Sequence, residues 1–600
     1  MHVRLAATFA VGALLAPVSW STEITRDYTF QRPNLTSVVI DAVTYTRVSI
    51  AGAPSGGNPG QPRLPAGSAY LLIPYGEVVT EIRVTGTETL VGDGYLVEPA
   101  GMPFAISKGP TEENIPRPDQ AIYGSSDPFP ASRYASLGTH EFRGYDILVL
   151  RLEPCKYIPT TGALYYYPTL HVSVQTATGS GRNTLLRFLT DDAQAAVGRV
   201  DNPGTVSTYP AGGGRGGSDY DLLILTTPAL ANAFAPLAAA HNNSSPQTLT
   251  QVKTLNPPVT WDAVRTFIGT EYNTYHIKFA LIGADDDALP APKLYVQPGE
   301  PAMPSDFYLG CLDGAYDPGD PFNLDLIAEV YIGRAAADNA AQVTSFVNKT
   351  VAYLNGQHTH LNRVLQAGEW LGFAGEAEYG STMMDQLIDV CSAYYTTYGI
   401  PSATFDIDRL YDAPGTPDYR WPMNELIRRM NAGVHWINHL GHARPDYGMR
   451  VGSRDCPTAQ GTCGTVPGRV PVSDLAALTN TDYFFIYSDG CEAGWFDGKD
   501  CVAEAFTTGS AHGAFAVIMN ARTGWAMGEG SDYQAQRFHR WFWDAIFNPD
   551  PHPALAYRTY AAANQYVKEK LIPYFTDVAM RYSSYELNYF GDPSLVIRLP

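Results

Sequence analysis

The sequence predicts an α/β protein in which a mostly parallel sheet flanked by helices, in two subdomains, follows an all-β sandwich-like domain. Three observations carry this expectation. Residues 22–208 show short apolar segments of period two separated by turn residues. Tyr209-Pro210-Ala211-Gly212-Gly213-Gly214-Arg215-Gly216-Gly217 is a flexible linker by composition. Beyond it, short continuously apolar runs alternate with helical patterns, as strands buried on both faces require.

Taken in order, Met1 to Arg4 precede an apolar stretch from Leu5 to Val18 that ends in small residues around Ser19 and Ser21. A stretch this short, followed by polar sequence, predicts a secretory signal peptide over residues 1–21 and an exported, extracellular protein. No later run of ~18 uncharged apolar residues predicts a membrane span. In the β-rich domain the strand candidates are Ala69 to Pro74, Val78 to Val84, Tyr145 to Leu152 and Leu170 to Val174. After the linker come a strand at Leu222 to Leu225, an Ala-rich helix from Pro228 to His241, and a strand at Phe279 to Gly283. Val330 to Gly333 is followed by a helix to Leu354 with Asp338 as its expected N-cap. Further strands are expected at Val434 to Leu440, Tyr483 to Tyr487 and Ala514 to Met519.

The net charge is -20 with a sequence pI of about 5.0 and no Lys/Arg-rich cluster, which argues against nucleic-acid binding. Seven cysteines in an exported chain leave at least one free or paired between chains. Cys456 and Cys463, close together in a Gly/Pro-rich loop, are the candidate disulfide, and Cys491 is the candidate free thiol.

Ligands in parallel α/β sheets bind beyond the carboxyl ends of the strands. His442 and Cys491 both follow apolar runs, so this rule puts an imidazole and a thiol on one rim. That is the pair a cysteine nucleophile needs, one group to attack and one to carry the proton. Gly490 and Gly494 flank the thiol and allow close backbone approach. His435, His439 and His442 lack the His-Glu-x-x-His pattern of a zinc peptidase, Trp436 standing in the glutamate's place, so His435 and His439 read as packing residues. Asp313, Asp317, Asp320 and Asp325 form an acidic loop that offers oxygen ligands to a structural Ca²⁺ but lacks EF-hand spacing. There is no P-loop, dinucleotide fingerprint or Gly-x-Ser-x-Gly elbow.

Several segments, in order, resemble the gingipain-type family of secreted cysteine peptidases, whose catalytic domains are relatives of the caspases. They are Gly60 to Pro65 with Leu72-Ile73-Pro74, Tyr157 to Leu164, Ser305 to Tyr308, Leu312-Asp313-Gly314, Glu329 to Arg334, and Phe590 to Leu595. The resemblance implies a caspase-like sheet in subdomains 218–365 and 366–600, preceded by a propeptide over 22–208 that inhibits the same chain. It implies a peptidase acting on proteins or peptides without a required cofactor, with His442 as acid–base and Cys491 as nucleophile. The N–H groups of Ala443 and Cys491 would line the oxyanion hole, Glu376 would support the histidine, and Asp385 would favour Arg or Lys at P1 under the cover of Trp525. Arg215, exposed in its linker, would be the processing site. The family's glycine after the histidine is Ala443 here, and a requirement for positive φ there would cost ~1 kcal/mol or more. A binding protein that keeps the fold without turnover is the alternative expectation.

Overall fold

The computed structural model describes residues 22–296, 300–317, 324–373, 375–414, 419–455, 463–527, 530–548 and 558–600. The expected signal peptide, Asp320 and Cys456 lie outside the described residues. Cys463 is disulfide-bonded, while Cys155, Cys311, Cys391, Cys491 and Cys501 are free.

Ten strands form the central sheet. They are β1 (Leu222–Thr226), β2 (Thr250–Thr254), β3 (Phe279–Gly283), β4 (Tyr331–Arg334), β5 (Arg363–Gly368), β6 (Asp406–Tyr411), β7 (Trp436–Leu440), β8 (Phe484–Ser488), β9 (Ala514–Asn520) and β10 (Leu587–Phe590). Their spatial order is β2-β1-β3-β4-β10-β9-β8-β7-β5-β6. Every neighbouring pair is parallel except β9 with β10. One antiparallel seam therefore joins two parallel blocks that run in opposite directions. The carboxyl ends of β5, β7, β8 and β9 consequently share one rim. A division at residue 365/366 falls inside β5, and that strand belongs wholly to the second block.

Burial on both faces explains the continuous apolar runs. In β8, Phe485 and Tyr487 enter the larger core while Phe484 and Ile486 enter the core on the opposite face. The helix Ala340–Leu354 is capped by Asn339, whose side chain accepts from the N–H groups of Ala341 and Gln342, both at 3.1 Å. The expected cap, Asp338, lies one residue too early for this.

The N-terminal domain contains three three-stranded antiparallel sheets, the first built from Thr22–Thr29, Thr169–Thr178 and Glu77–Thr85, the second from Tyr134–Phe142, Tyr145–Leu152 and Gly67–Leu72, and the third from Cys155–Ile158, Ala163–Tyr166 and Thr89–Gly92. Ile24, Val84 and Val174 of the first pack with Leu71, Leu148 and Leu150 of the second. All eight residues of Tyr145–Leu152 are buried, because Tyr145, Ile147 and Val149 point the other way into the core of the following domain. The β-rich domain is thus bonded to the sheet domain by a shared apolar core. The segment between them, flexible by composition, is fastened at both ends: Tyr209 donates to Ile73 O at 2.8 Å and Gly213 N to Phe188 O at 2.7 Å. No helix among the described residues is long and apolar enough to cross a membrane.

Candidate active site

Strands β7 and β8 pair in parallel with His439 opposite Ser488, which brings the following residues, Gly441-His442-Ala443 and Asp489-Gly490-Cys491, side by side. Two glycines make this approach sterically feasible. A Cβ on Gly490 would sit 2.7 Å from that of Ala443, and one on Gly441 would sit 2.5 Å from the Glu369 carboxyl carbon. Ala443 is not among the residues with positive φ, so its side chain carries no left-handed strain. Left-handed backbone occurs instead at Glu492, φ 59, directly after the nucleophile candidate, where Glu492 N donates to Arg522 O at 2.5 Å.

His442 is oriented by backbone. Its Nε2 lies 3.1 Å from Leu371 O, and since a carbonyl only accepts, Nε2 carries the proton. Nδ1 is then a bare lone pair, buried and without a hydrogen-bond partner. Burial lowers the His442 pKa, and the nearby Glu369 carboxylate opposes this. Burial alone would raise the Glu369 carboxyl, but Arg450 and His439 hold it below its usual range.

Cys491 is buried beneath the N-terminal domain. Phe104–Ala105 pairs antiparallel with Trp525–Ala526, with Ala105 opposite Trp525 and Phe104 opposite Ala526. Ile106 N donates to Gly524 O at 2.9 Å, and Gly524 N donates to the Cys491 sulfur at 3.3 Å. Ile106 is fully buried, and the chain then turns back, Lys108 N donating to Ala105 O at 2.9 Å. Burial pushes the Cys491 thiol up to about 11; hydrogen bonds from the Ser107 side chain and backbone pull the other way. In this arrangement the sulfur is a neutral thiol under a strand-like cover.

Other expected site residues lie elsewhere. Glu376 does not support His442: its carboxylate accepts from Tyr394 OH at 2.9 Å and Ser531 Oγ at 3.1 Å, and the Leu371 carbonyl holds the position at the imidazole. Asp385 is not a pocket floor, since Arg409 Nε and Tyr411 OH each donate to it at 2.9 Å on the edge strand β6. Trp525 does lie beside the thiol, in the strand that holds Phe104–Ala105, with its ring edge-on to Tyr582 at 5.4 Å. Arg215 is not freely exposed. It is ion-paired with Asp221 and donates to Tyr220 O at 2.7 Å and His276 O at 3.2 Å.

The three histidines have separate partners: His435 Nδ1 contacts Leu361 O at 2.9 Å, and His439 lies between Ser488 Oγ at 2.8 Å and Glu369 at 3.1 Å. Burial pushes His435 down to about 3. Of the acidic loop's described residues, Asp325 accepts from Glu141 N at 2.9 Å and Ile327 N at 2.7 Å, and its carboxyl group is hydrogen-bonded to that of Asp313. Among the described residues, Asp285, Asp287 and Asp338 bring three carboxylates within 4.8 Å of one another. Sequence reasoning missed Leu371, Gly524, Ile106 and Ser107. Three of them act here through backbone groups, which leave no side-chain signature. Glu369, at the end of β5, was missed with its strand.

The sequence model of peptidase family C25 matches residues 216–598, and the model of the C25 propeptide matches residues 15–192. Among solved structures, the chain resembles gingipain R, an Arg-specific cysteine proteinase, at 18% identity over 64% of this chain and 79% of that one, with TM-score 0.46. The complex of the pro- and mature domains of RgpB from Porphyromonas gingivalis gives 18% identity over 63% and 80%, with TM-score 0.45. A structure concerning the zymogenic latency of gingipain K from the same organism gives 22% identity over 28% and 97%, with TM-score 0.23. No curated protein matches the chain. With its catalytic family model covering residues 216–598 of 600, and a propeptide model ahead of it, the chain belongs to peptidase family C25 and is a cysteine-type peptidase carrying its propeptide.

Proposed function

We propose that the protein is a latent cysteine endopeptidase in which Cys491 and His442 form the catalytic dyad. The observation that carries this reading is the orphaned Nδ1 of His442 on the rim shared with Cys491, while Ser107 reaches the sulfur and Ile106 bonds to Gly524 beside it. Once the propeptide segment leaves, Nδ1 takes the thiol proton as sulfur attacks the scissile carbonyl, and the proton passes to the departing amine. Water then hydrolyses the thioester with His442 as base. The N–H groups of Ala443 and Cys491 are assigned to the oxyanion. No metal or cofactor is assigned to the reaction, and a structural Ca²⁺ is proposed for the Asp285, Asp287 and Asp338 group. The leader over residues 1–21 assigns the enzyme to the extracellular space.

For P1, Ile106 occupies the position whose N–H bonds to Gly524, which favours an aliphatic side chain. A second reading, Arg or Lys at P1, moves from Asp385 to Glu586. That carboxyl is fully buried with one oxygen unpartnered and raises the Cys491 pKa electrostatically. Separation of the propeptide is assigned to Arg215-Gly216, where the catalytic family match begins; self-cleavage there belongs to the second reading, and under the first reading another peptidase makes the cut. A positional-scanning peptide assay on the processed protein, with Cys491→Ala as control, tests activity and P1 together. Cleavage after Ile or Leu supports the first reading and cleavage after Arg or Lys the second, while hydrolysis retained by Cys491→Ala removes the dyad. Purified Cys491→Ala precursor that is still cut at Arg215 argues against self-processing.

A further inference from the structure

The surface between propeptide and enzyme contains a cavity of about 470 Å³ next to the strand that holds Phe104–Ala105. On the enzyme side it is lined by Glu376, Tyr394, Met527, Gly530 and Asp532. Two propeptide guanidinium groups occupy this side of the interface. Arg63 is ion-paired with the buried Asp532 and donates to Asp532 O at 3.3 Å, while its guanidinium carbon lies 5.7 Å from the Tyr394 ring centroid. Arg47 lies 4.8 Å from the same centroid. A carboxylate together with an aromatic face is what recognises a planar guanidinium.

The pocket is built rather than incidental. Tyr394 is held at φ 64, and its hydroxyl lies so close to Gly530 that a Cβ there would sit 2.5 Å away. The same hydroxyl donates to Glu376 at 2.9 Å, and Ser531 Oγ donates to that carboxylate at 3.1 Å. Asp532 keeps a partner within the enzyme, with Arg537 Nε at 2.8 Å and Nη2 at 2.7 Å, so the wall stands without the propeptide. Across the interface Arg63 pairs with Asp532, and the Glu376 carboxylate acts electrostatically on Arg47. Within each partner, Arg47 and Arg63 meet Glu98 and Asp532 meets Arg537.

We propose that Asp532, Glu376 and Tyr394 form a second side-chain pocket of the enzyme, taking an arginine of the substrate on the amino-terminal side of the scissile bond, with Arg63 standing in for it in the precursor. The proposal rests on the peptidase reading above. Its position follows from the strand pair: the propeptide reaches Cys491 through Phe104, Ala105 and Ile106, and the same cavity is lined further back by Gly101. A substrate strand laid on Trp525–Ala526 in that direction passes the pocket about five residues before the residue at Gly524 (106 − 101 = 5).

The test uses full-length protein after processing and fluorogenic peptides identical around the cleaved bond, with arginine, citrulline or alanine placed four to six residues upstream. Wild-type enzyme is expected to favour arginine over citrulline by about tenfold in kcat/KM, the size of one charge-assisted contact. Glu376→Gln and Tyr394→Leu are expected to lower that ratio while cleaving the alanine peptide as wild type does, and Asp532→Asn to bring it near one. Because Asp532 also pairs with Arg537, the two exposed-side variants keep the test sound if Asp532→Asn misfolds. Hydrolysis with equal rates for arginine and citrulline overturns the pocket alone. Absence of hydrolysis together with unlabelled Cys491 overturns the peptidase reading and the pocket with it.

Discussion

Ile106 of the propeptide donates its backbone N–H to the carbonyl oxygen of Gly524 at 2.9 Å, and the next residue, Ser107, reaches the Cys491 sulfur. This is a latch made of backbone bonds and one fully buried side chain. Truncating that side chain by Ile106→Ala costs about 2–5 kcal/mol of local burial. Alkylation of Cys491 in the full-length precursor at pH 8 should then speed up at least about tenfold, each 1.4 kcal/mol being one decade. An unchanged alkylation rate would count against the latch.

The imidazole of His442 is set by Leu371 O, and its charge balance by Glu369. His442→Ala should reduce kcat by about 10²–10⁴, the range for a lost general base. Glu369→Gln removes the carboxylate that raises the His442 pKa, so the acid limb of the kcat/KM profile should move to lower pH. Glu376→Gln, by contrast, should leave that limb where it is. A shift with Glu376→Gln and none with Glu369→Gln would reverse this assignment.

Gly490 abuts Ala443, with an added Cβ only 2.7 Å from the alanine methyl. Gly490→Ala should therefore destabilise the rim by about 1–3 kcal/mol, as overpacking does. The double variant Ala443→Gly/Gly490→Ala should recover a good part of that loss. Thermal unfolding of the three proteins measures the coupling, and strict additivity would show that the two residues do not press on one another.

Asp313 and Glu329 lie where the propeptide meets the sheet domain, Arg143 Nε donating to Glu329 O at 2.9 Å. Burial, then the neighbouring carboxylates, raises both carboxyl pKa values. For a raised acid the sign is definite: its contribution to stability is complete below the unfolded value of about 4 and is lost as pH rises through the folded value. Asp313→Asn cannot ionise, so it should stabilise the precursor relative to wild type more at pH 8 than at pH 5. Melting temperatures at the two pH values give the comparison, and an equal difference at both would contradict it.

Elements buried on both faces with a continuous apolar run were legible in the sequence. Phe279 to Gly283 and Tyr145 to Leu152 have the bounds their apolar runs predict, and the runs leading to His442 and Cys491 are β7 and β8 to within two residues. The central strand Arg363–Gly368 carries only the short apolar run Val364-Leu365 before Gln366 interrupts it, and two other strands absent from the sequence reading have weaker patterns. Thr250–Thr254 and Asp406–Tyr411 are the two edges of the sheet, each with a solvated side, and their alternation is too short to stand out. Glu376 and Asp385, which the resemblance implied, lie in the connection between β5 and β6, where chain path rather than residue type decides which carboxylate faces the imidazole. The path turns Glu376 toward Tyr394 and Asp385 toward Arg409.

The sequence by itself determined a β-rich domain followed by an α/β sheet, and put a thiol and an imidazole at strand ends, because burial and strand period are written in side-chain chemistry. Only the tertiary structure decided that a backbone carbonyl orients His442, that Ile106 and Ser107 cover Cys491, and that Glu376 accepts from Tyr394 and Ser531 rather than from the imidazole. Those outcomes depend on which backbone groups and distant loops meet across a rim, and hydrogen-bond geometry between groups every residue carries leaves no mark in composition or spacing.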